Sequence, residues 1–207
     1  MSDERSAPTV FLVDDDPAVR ESLQWLLESE GLRVEVYASG REFLDRYDPD
    51  RPGCLLLDVR MPGLSGLEIQ ERLAAEPISV PVIIITGHGD VPLAVRAIKA
   101  GAVDVIEKPL SHEVLMARIK AALARDAETR REYAQRRAIE ERISRLTPRE
   151  REIMDLLVKG DSSKEIALRL GLSPKTVETH RVHILEKMQA DSHVRLVQMV
   201  LSSRTKP

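Results

Sequence analysis

The sequence predicts a two-part molecule, an α/β domain on a parallel sheet followed by an all-α domain, and three observations carry the prediction. Over residues 1–124 short apolar runs alternate with amphipathic stretches, the pattern of a sheet wrapped by helices. From Arg125 to Leu146 there is neither Gly nor Pro, and charges dominate. Beyond Leu146 no strand pattern recurs, and short helices with marked starts follow one another.

The strands are expected at Thr9–Val13, Arg33–Tyr37, Cys54–Leu57, Val82–Thr86 and Val103–Ile106. The first, third and fourth are continuously apolar, as strands buried on both faces are, whereas the second alternates like an edge strand. Helices are expected at Pro17–Ser29, Gly40–Tyr47, Gly66–Ala75, Val91–Ala100 and His112–Ala124. Five βα units in this order define a flavodoxin-like (βα)5 domain over 1–124. Residues 125–145 read as a helical linker, because Glu precedes Arg by four residues at Glu132/Arg136 and Glu141/Arg145. A spacer helix of that length would span ~33 Å. No sustained apolar seam marks it as a dimerising coil.

Residues 146–207 read as an all-α four-helix domain, with helices at Pro148–Lys159, Ser163–Leu170, Pro174–Met188 and Ser192–Leu201. Thr147–Glu150 and Ser162–Glu165 have the spacing of capping boxes, Ser173-Pro174 marks a third start, and Gly160 and Gly171 suit helix ends. The tight Gly171-Leu172-Ser173 joint makes the middle pair a helix-turn-helix.

Composition narrows the function. Aromatics make up 3% of the 207 residues and Trp25 is the sole tryptophan, which disfavours a sugar-binding or single-strand-stacking surface. The lone Cys54 excludes a disulfide scaffold and a multi-cysteine zinc module, and points to the cytosol. No apolar run approaches the ~20 residues of a bilayer span, so no membrane partner is expected. The net charge of −3 hides a division: 14 Lys/Arg against 21 Asp/Glu up to Arg125, then 17 against 13. An acidic half suits a cation and a basic half a polyanion.

Ligands of open α/β sheets bind beyond the carboxyl ends of the strands. There the chain places Asp14, Asp15 and Asp16, then Asp58, Thr86 and Lys108. Any one of these has a bland reading as a helix cap, turn residue or surface charge. Together they form a hard-oxygen cluster with a lysine, and converging carboxylates need a cation such as Mg²⁺, which shares its sphere with water and phosphate oxygens. Cys54 reads as buried strand packing, and the five histidines lack metal-ligand spacing.

The strings FLVDDD, LLLDVRMPGLSG, VIIITGHGD and GAVDVIEKP resemble the receiver domains of two-component response regulators. The resemblance implies that Asp58 is the phospho-acceptor for a sensor histidine kinase. It implies further that Asp15, Asp58 and the Arg60 backbone carbonyl ligate Mg²⁺ with Asp14 acting through water, and that Lys108 and Thr86 hold phosphoryl oxygens. Three positions depart or vary. Val105 stands where many receivers carry an aromatic switch residue, leaving the switch to Thr86 and the helix from Val91. Arg60 and His88 occupy positions that tune self-dephosphorylation.

The stretch from LTPREREIM to SPKTVETHRVHILEKM resembles the LuxR/NarL/FixJ class of helix-turn-helix domain. A helical wheel of Pro174–Met188 turns Val177, His180, Ile184 and Met188 inward. Lys175, Thr179, Val182 and Glu186 then face out, with Glu178 and His183 at the edges; Lys175, Thr176, Thr179 and Val182 are expected to read a major groove, Glu178 to meet a cytosine amino group, and Arg181 and Lys187 to meet phosphates. The combined resemblance implies a FixJ/NarL-type regulator that forms a homodimer on phosphorylation, binds double-stranded promoter DNA, works with RNA polymerase and activates transcription. It is not expected to be an enzyme beyond slow self-dephosphorylation. A phosphatase would carry Asp two residues after the nucleophile, where Arg60 stands, and a sigma-factor fragment would lack the acceptor half. A regulator independent of phosphorylation is the alternative that Val105 keeps open.

Overall fold

A computed structural model of the chain describes residues 7–74, 80–87 and 91–204. It divides into two compact units, 1–131 and 132–207. In the first, β1 (Thr9–Val13), β2 (Arg33–Tyr37), β3 (Gly53–Asp58), β4 (Val82–Thr86) and β5 (Asp104–Glu107) form one parallel sheet in the order β2-β1-β3-β4-β5. The helices between them are α1 (Pro17–Ser29), α2 (Gly40–Arg46), α3 (Gly66–Leu73) and α4 (Val91–Lys99), and α5 (His112–Ser144) follows β5.

Side chains alternate across a strand, so each buried strand feeds two cores. Phe11, Val13, Leu55, Leu57 and Ile84 pack with Phe43, Ile69 and Ala97 from α2, α3 and α4. Val10, Leu12, Leu56, Ile83 and Ile85 pack with Leu23, Leu27, Leu115 and Ile119 from α1 and α5. β2 lies at one edge, as its alternating pattern predicts. Two strands differ in their bounds: β3 gains Gly53 at its start and Asp58 at its end, and β5 starts and ends one residue later than expected. The predicted helix end at Ala75 falls outside the described residues.

The linker is not a separate element. No Gly or Pro interrupts the chain after His112, and α5 runs unbroken to Ser144. Its 126–130 turn is docked rather than solvated. Asp126, 2% exposed, accepts the Gly53 amide and the Arg130 Nε at 2.9 Å each. Arg130 also donates to the carbonyls of Pro49, Asp50 and Arg51. Gly53 itself is required by the sheet, since a Cβ there would lie 2.1 Å from the carbonyl oxygen of Thr9, its partner on β1.

In the second unit α6 (Pro148–Val158), α7 (Ser163–Leu170), α8 (Pro174–Met188) and α9 (His193–Arg204) enclose Ile153, Met154, Ile166, Val177, Ile184, Met188 and Leu196. Ile139 and Ile143 of α5 pack on that core. Both predicted capping boxes form, at Thr147/Glu150 and Ser162/Glu165. Ser173 accepts the Thr176 amide, and Gly171 ends α7 at φ 64°, a left-handed conformation that glycine adopts without strain. α9 begins one residue and ends three residues later than predicted. Among the described residues no helix is long and apolar enough to cross a membrane.

Candidate functional site

At the carboxyl edge of the sheet three loops meet. Asp14 follows β1 at 1% exposure and Asp58 ends β3 at 7%. Lys108 follows β5, and its amide donates to the Thr86 carbonyl at the end of β4. The Lys108 ammonium bridges the two acids, 2.9 Å from Asp14 Oδ2 and 2.9 Å from Asp58 Oδ1. Burial works against the lysine's charge, but its hydrogen bonds to Asp58 and Asp14 prevail and raise its pKa above the ordinary value. Asp58 Oδ2 accepts the Arg60 amide at 2.7 Å, which fixes the carboxylate's orientation. Thr86 is buried beside them, 4% exposed.

The three consecutive acids part company. Asp14 joins Asp58, whereas Asp16 caps α1 by accepting the Ala18 and Val19 amides. Asp15 is exposed and takes no part in the lysine bridge. The structure therefore brings together two of the three predicted acid ligands. Among the described residues no group of three or more Asp, Glu, His or Cys is arranged to hold a metal. Two converging carboxylates still fit Mg²⁺, which uses one or two and completes its shell with water and phosphate oxygens. Val105 is half-buried at the margin of the core, and His88 lies outside the described residues.

Sequence reasoning missed two supports of this site. Arg20, one turn into α1, donates from Nη1 to the Asp14 carbonyl at 2.6 Å. An arginine four residues after the capping Asp16 was the available signal. Gly66 lets the start of α3 close on the end of β3: a Cβ there would lie 2.6 Å from the Asp58 carbonyl oxygen.

On α8, Lys175, Thr179, Val182 and Glu186 are exposed, as the wheel requires, and so are Thr176 and His183. Val177, Ile184 and Met188 are buried, and His180 is half-buried. The predicted edge residues differ. Glu178 Oε1 accepts Ser163 Oγ at 2.5 Å and Arg181 Nη1 at 2.9 Å, while the side chain stays 57% exposed. The Ser163 hydrogen bond and the Arg181 charge keep its pKa below the usual carboxylate value. Lys187 donates to Glu150 Oε2 at 2.7 Å rather than standing ready for phosphate.

Burial opposes ionisation of Glu150, yet Lys187 and the Thr147 amide and hydroxyl outweigh it and lower its pKa. A carboxylate with a lowered folded pKa contributes stability that is present above its ordinary value of 4.5 and lost as pH falls through the folded value. Thermal unfolding between about pH 6 and pH 3 should show this acid loss in wild type. Glu150→Gln should remove its share, and an unchanged acid profile in the variant would refute the assignment.

A buried acid pair bridged by lysine beside a threonine, on a (βα)5 sheet and followed by a helix-turn-helix unit, defines a receiver-type domain joined to a DNA-binding domain. Two family models match: the response regulator receiver domain over residues 10–120, and the luxR family of bacterial regulatory proteins over 144–200. The chain belongs to the response regulators of transcription that combine a receiver with a LuxR-type helix-turn-helix domain.

Its relatives include transcriptional regulatory protein FixJ of Azorhizobium caulinodans, 47% identical over 96% of this chain and 94% of that one. The response regulator protein TodT of Pseudomonas putida is 41% identical over 96% and 87%. The solved structure of response regulator StyR matches at TM-score 0.85 with 42% identity, covering 95% of this chain and 99% of that one. Full-length FixJ from B. japonicum matches at 0.58 with 40% identity, over 96% and 98%.

Proposed function

We propose that Asp58 accepts a phosphoryl group from the phosphohistidine of a sensor histidine kinase, in the cytoplasm and with Mg²⁺ bound, and that the phosphorylated chain dimerises on promoter DNA to activate transcription. The observation that carries this reading is the Lys108 ammonium shared by Asp14 and Asp58 beside buried Thr86. A carboxylate oxygen of Asp58 bonds to phosphorus as the phosphorus–nitrogen bond to histidine breaks, giving an acyl phosphate and a neutral imidazole. The Arg60 amide aims the nucleophile, while Lys108 and the Thr86 hydroxyl receive equatorial oxygens. Asp14 and Asp58, with Asp15 and the Arg60 carbonyl, would hold Mg²⁺, which would supply further charge neutralisation. Arg60 stands two residues after Asp58, where a phosphatase would carry its acid–base Asp, which supports an acceptor that loses its phosphate slowly rather than a turnover enzyme.

Dimerisation has a candidate surface on α4, where Val91, Val95 and Ile98 are 69%, 47% and 50% exposed and share one helical face. DNA binding then gains a second half-site, and contact with RNA polymerase follows at the promoter. The test combines intact mass and sedimentation after treatment with acetyl phosphate and Mg²⁺. Wild type should gain one phosphoryl group on Asp58 and become dimeric, and Asp58→Asn should do neither. A wild type that takes no phosphate yet binds operator DNA would instead support control independent of phosphorylation, the reading that Val105 favours.

A further inference from the structure

Three charged side chains of α8 that the sequence assigned to DNA, Glu178, Arg181 and Lys187, are hydrogen-bonded to other residues of the domain, and in a pattern. Ser163, the first residue of α7, donates to Glu178 and accepts from Arg181 Nη1, and Arg181 also donates to Glu178. The three groups close a ring between the start of α7 and the middle of α8. Toward the other end of α8, Lys187 donates to Glu150, the residue that completes the Thr147 capping box of α6. Each half of α8 is thus fastened to the first turn of a neighbouring helix. The Arg181 and Lys187 side chains are 25% and 37% exposed and that of Glu178 57%, so the Lys187 link to the 5% exposed Glu150 is the better shielded of the two.

We propose that Ser163, Glu178 and Arg181, with Glu150 and Lys187, are positioning residues for DNA recognition: they set the pitch and rotation of α8 and leave base readout to Lys175, Thr176, Thr179 and Val182. The inference rests on the DNA-binding reading and goes beyond it by dividing α8 into struts and readers. Swinging Arg181 out to a phosphate would break two hydrogen bonds and leave the Glu178 carboxylate facing the phosphate backbone without its counter-charge. Paired, the two residues add no net charge to the face. Readout by short side chains tolerates little misplacement, because a base edge is met within hydrogen-bond distance or not at all.

The discriminating quantity is the salt dependence of binding. A phosphate contact contributes about 0.9 to the slope of log K against log salt, whereas a strut contributes nothing to it. Duplexes enriched from a random pool by the full-length wild-type chain serve as probe, with a scrambled duplex for non-specific binding. Arg181→Ala and Ser163→Ala should leave the slope at the wild-type value and lower the preference for the selected duplex by roughly tenfold. Lys175→Ala, which removes a reader, should lower binding to the selected duplex more than binding to the scrambled one. Glu178→Gln keeps an oxygen for Ser163 and Arg181 and should retain most of the preference.

Ser163→Ala removes no charge and covers the case in which Arg181→Ala does not fold. A slope reduced by about 0.9 in Arg181→Ala, or an undiminished preference in Ser163→Ala, would overturn the assignment. Failure of wild type to enrich any duplex would overturn the DNA-binding reading, and the positioning roles with it.

Discussion

Lys108→Met is expected to slow phosphoryl incorporation at Asp58 by roughly a hundredfold or more, the usual cost of deleting one pre-oriented donor at a site of developing negative charge. Methionine keeps much of the unbranched stem and removes the ammonium that Asp14 and Asp58 share. Those carboxylates are 1% and 7% exposed, so water replaces the lost partner poorly. The stability cost is about 2 kcal/mol, below the range for a fully buried pair because the lysine side chain is 28% exposed. The pH dependence has a definite sign. Lys108 has a raised folded pKa, so its contribution is complete below the ordinary lysine value of 10.5 and disappears as pH rises through the folded one. Denaturant titrations at neutral and strongly alkaline pH, with phosphorylation rates from acetyl phosphate, check both parts. Phosphorylation of the Lys108→Met variant at the wild-type rate would remove Lys108 from the site.

Arg130→Met should destabilise the first unit by about 3 kcal/mol, through a different imbalance. The Arg130 side chain is 16% exposed and Asp126 2% exposed. Without the guanidinium, Asp126 keeps only the Gly53 amide among its observed partners, since its Oδ1 has none. The carbonyls of Pro49, Asp50 and Arg51 lose their donor at the same time. Cys54 lies next to this charge: burial first, and Asp126 second, push its thiol up to about 12, so it should stay unreactive in the folded chain. Chemical denaturation of the variant, and of Asp126→Asn with and without it, measures the coupling. A loss under about 1 kcal/mol would mean that the turn is held by helix propensity alone.

Much of this was legible in the sequence because it rests on local rules. Apolar runs of strand length, capping boxes at Thr147 and Ser162, and Gly171 at a left-handed helix end are short-range signals, and all formed. The positions of Asp58, Thr86 and Lys108 were legible for a similar reason: once the strands are placed, parallel topology gathers their carboxyl ends. Partner choice among polar side chains was not legible. Asp14, Asp15 and Asp16 are adjacent and chemically identical, yet one pairs with lysine, one stays exposed and one caps a helix. The separation depends on the direction of the chain as it leaves β1, which no residue type encodes. For Glu178, Arg181 and Lys187 the wheel placed the side chains correctly on the helix but could not foresee Ser163 or Glu150 within reach.

The linker shows the same division at larger scale. An unbroken helix after His112 follows from the absence of Gly and Pro, a property of the chain alone. That Asp126 and Arg130 dock on residues 49–53 depends on a backbone amide and three carbonyls 73 to 81 residues away in sequence. The class of each domain, the order of elements and the set of chemically active side chains were thus written in the order of residues. Which charges face ligand and which hold the fold together was settled in three dimensions. Periodicity and capping act over a few residues, whereas ion pairs depend on ångström distances between segments that the folded core brings together.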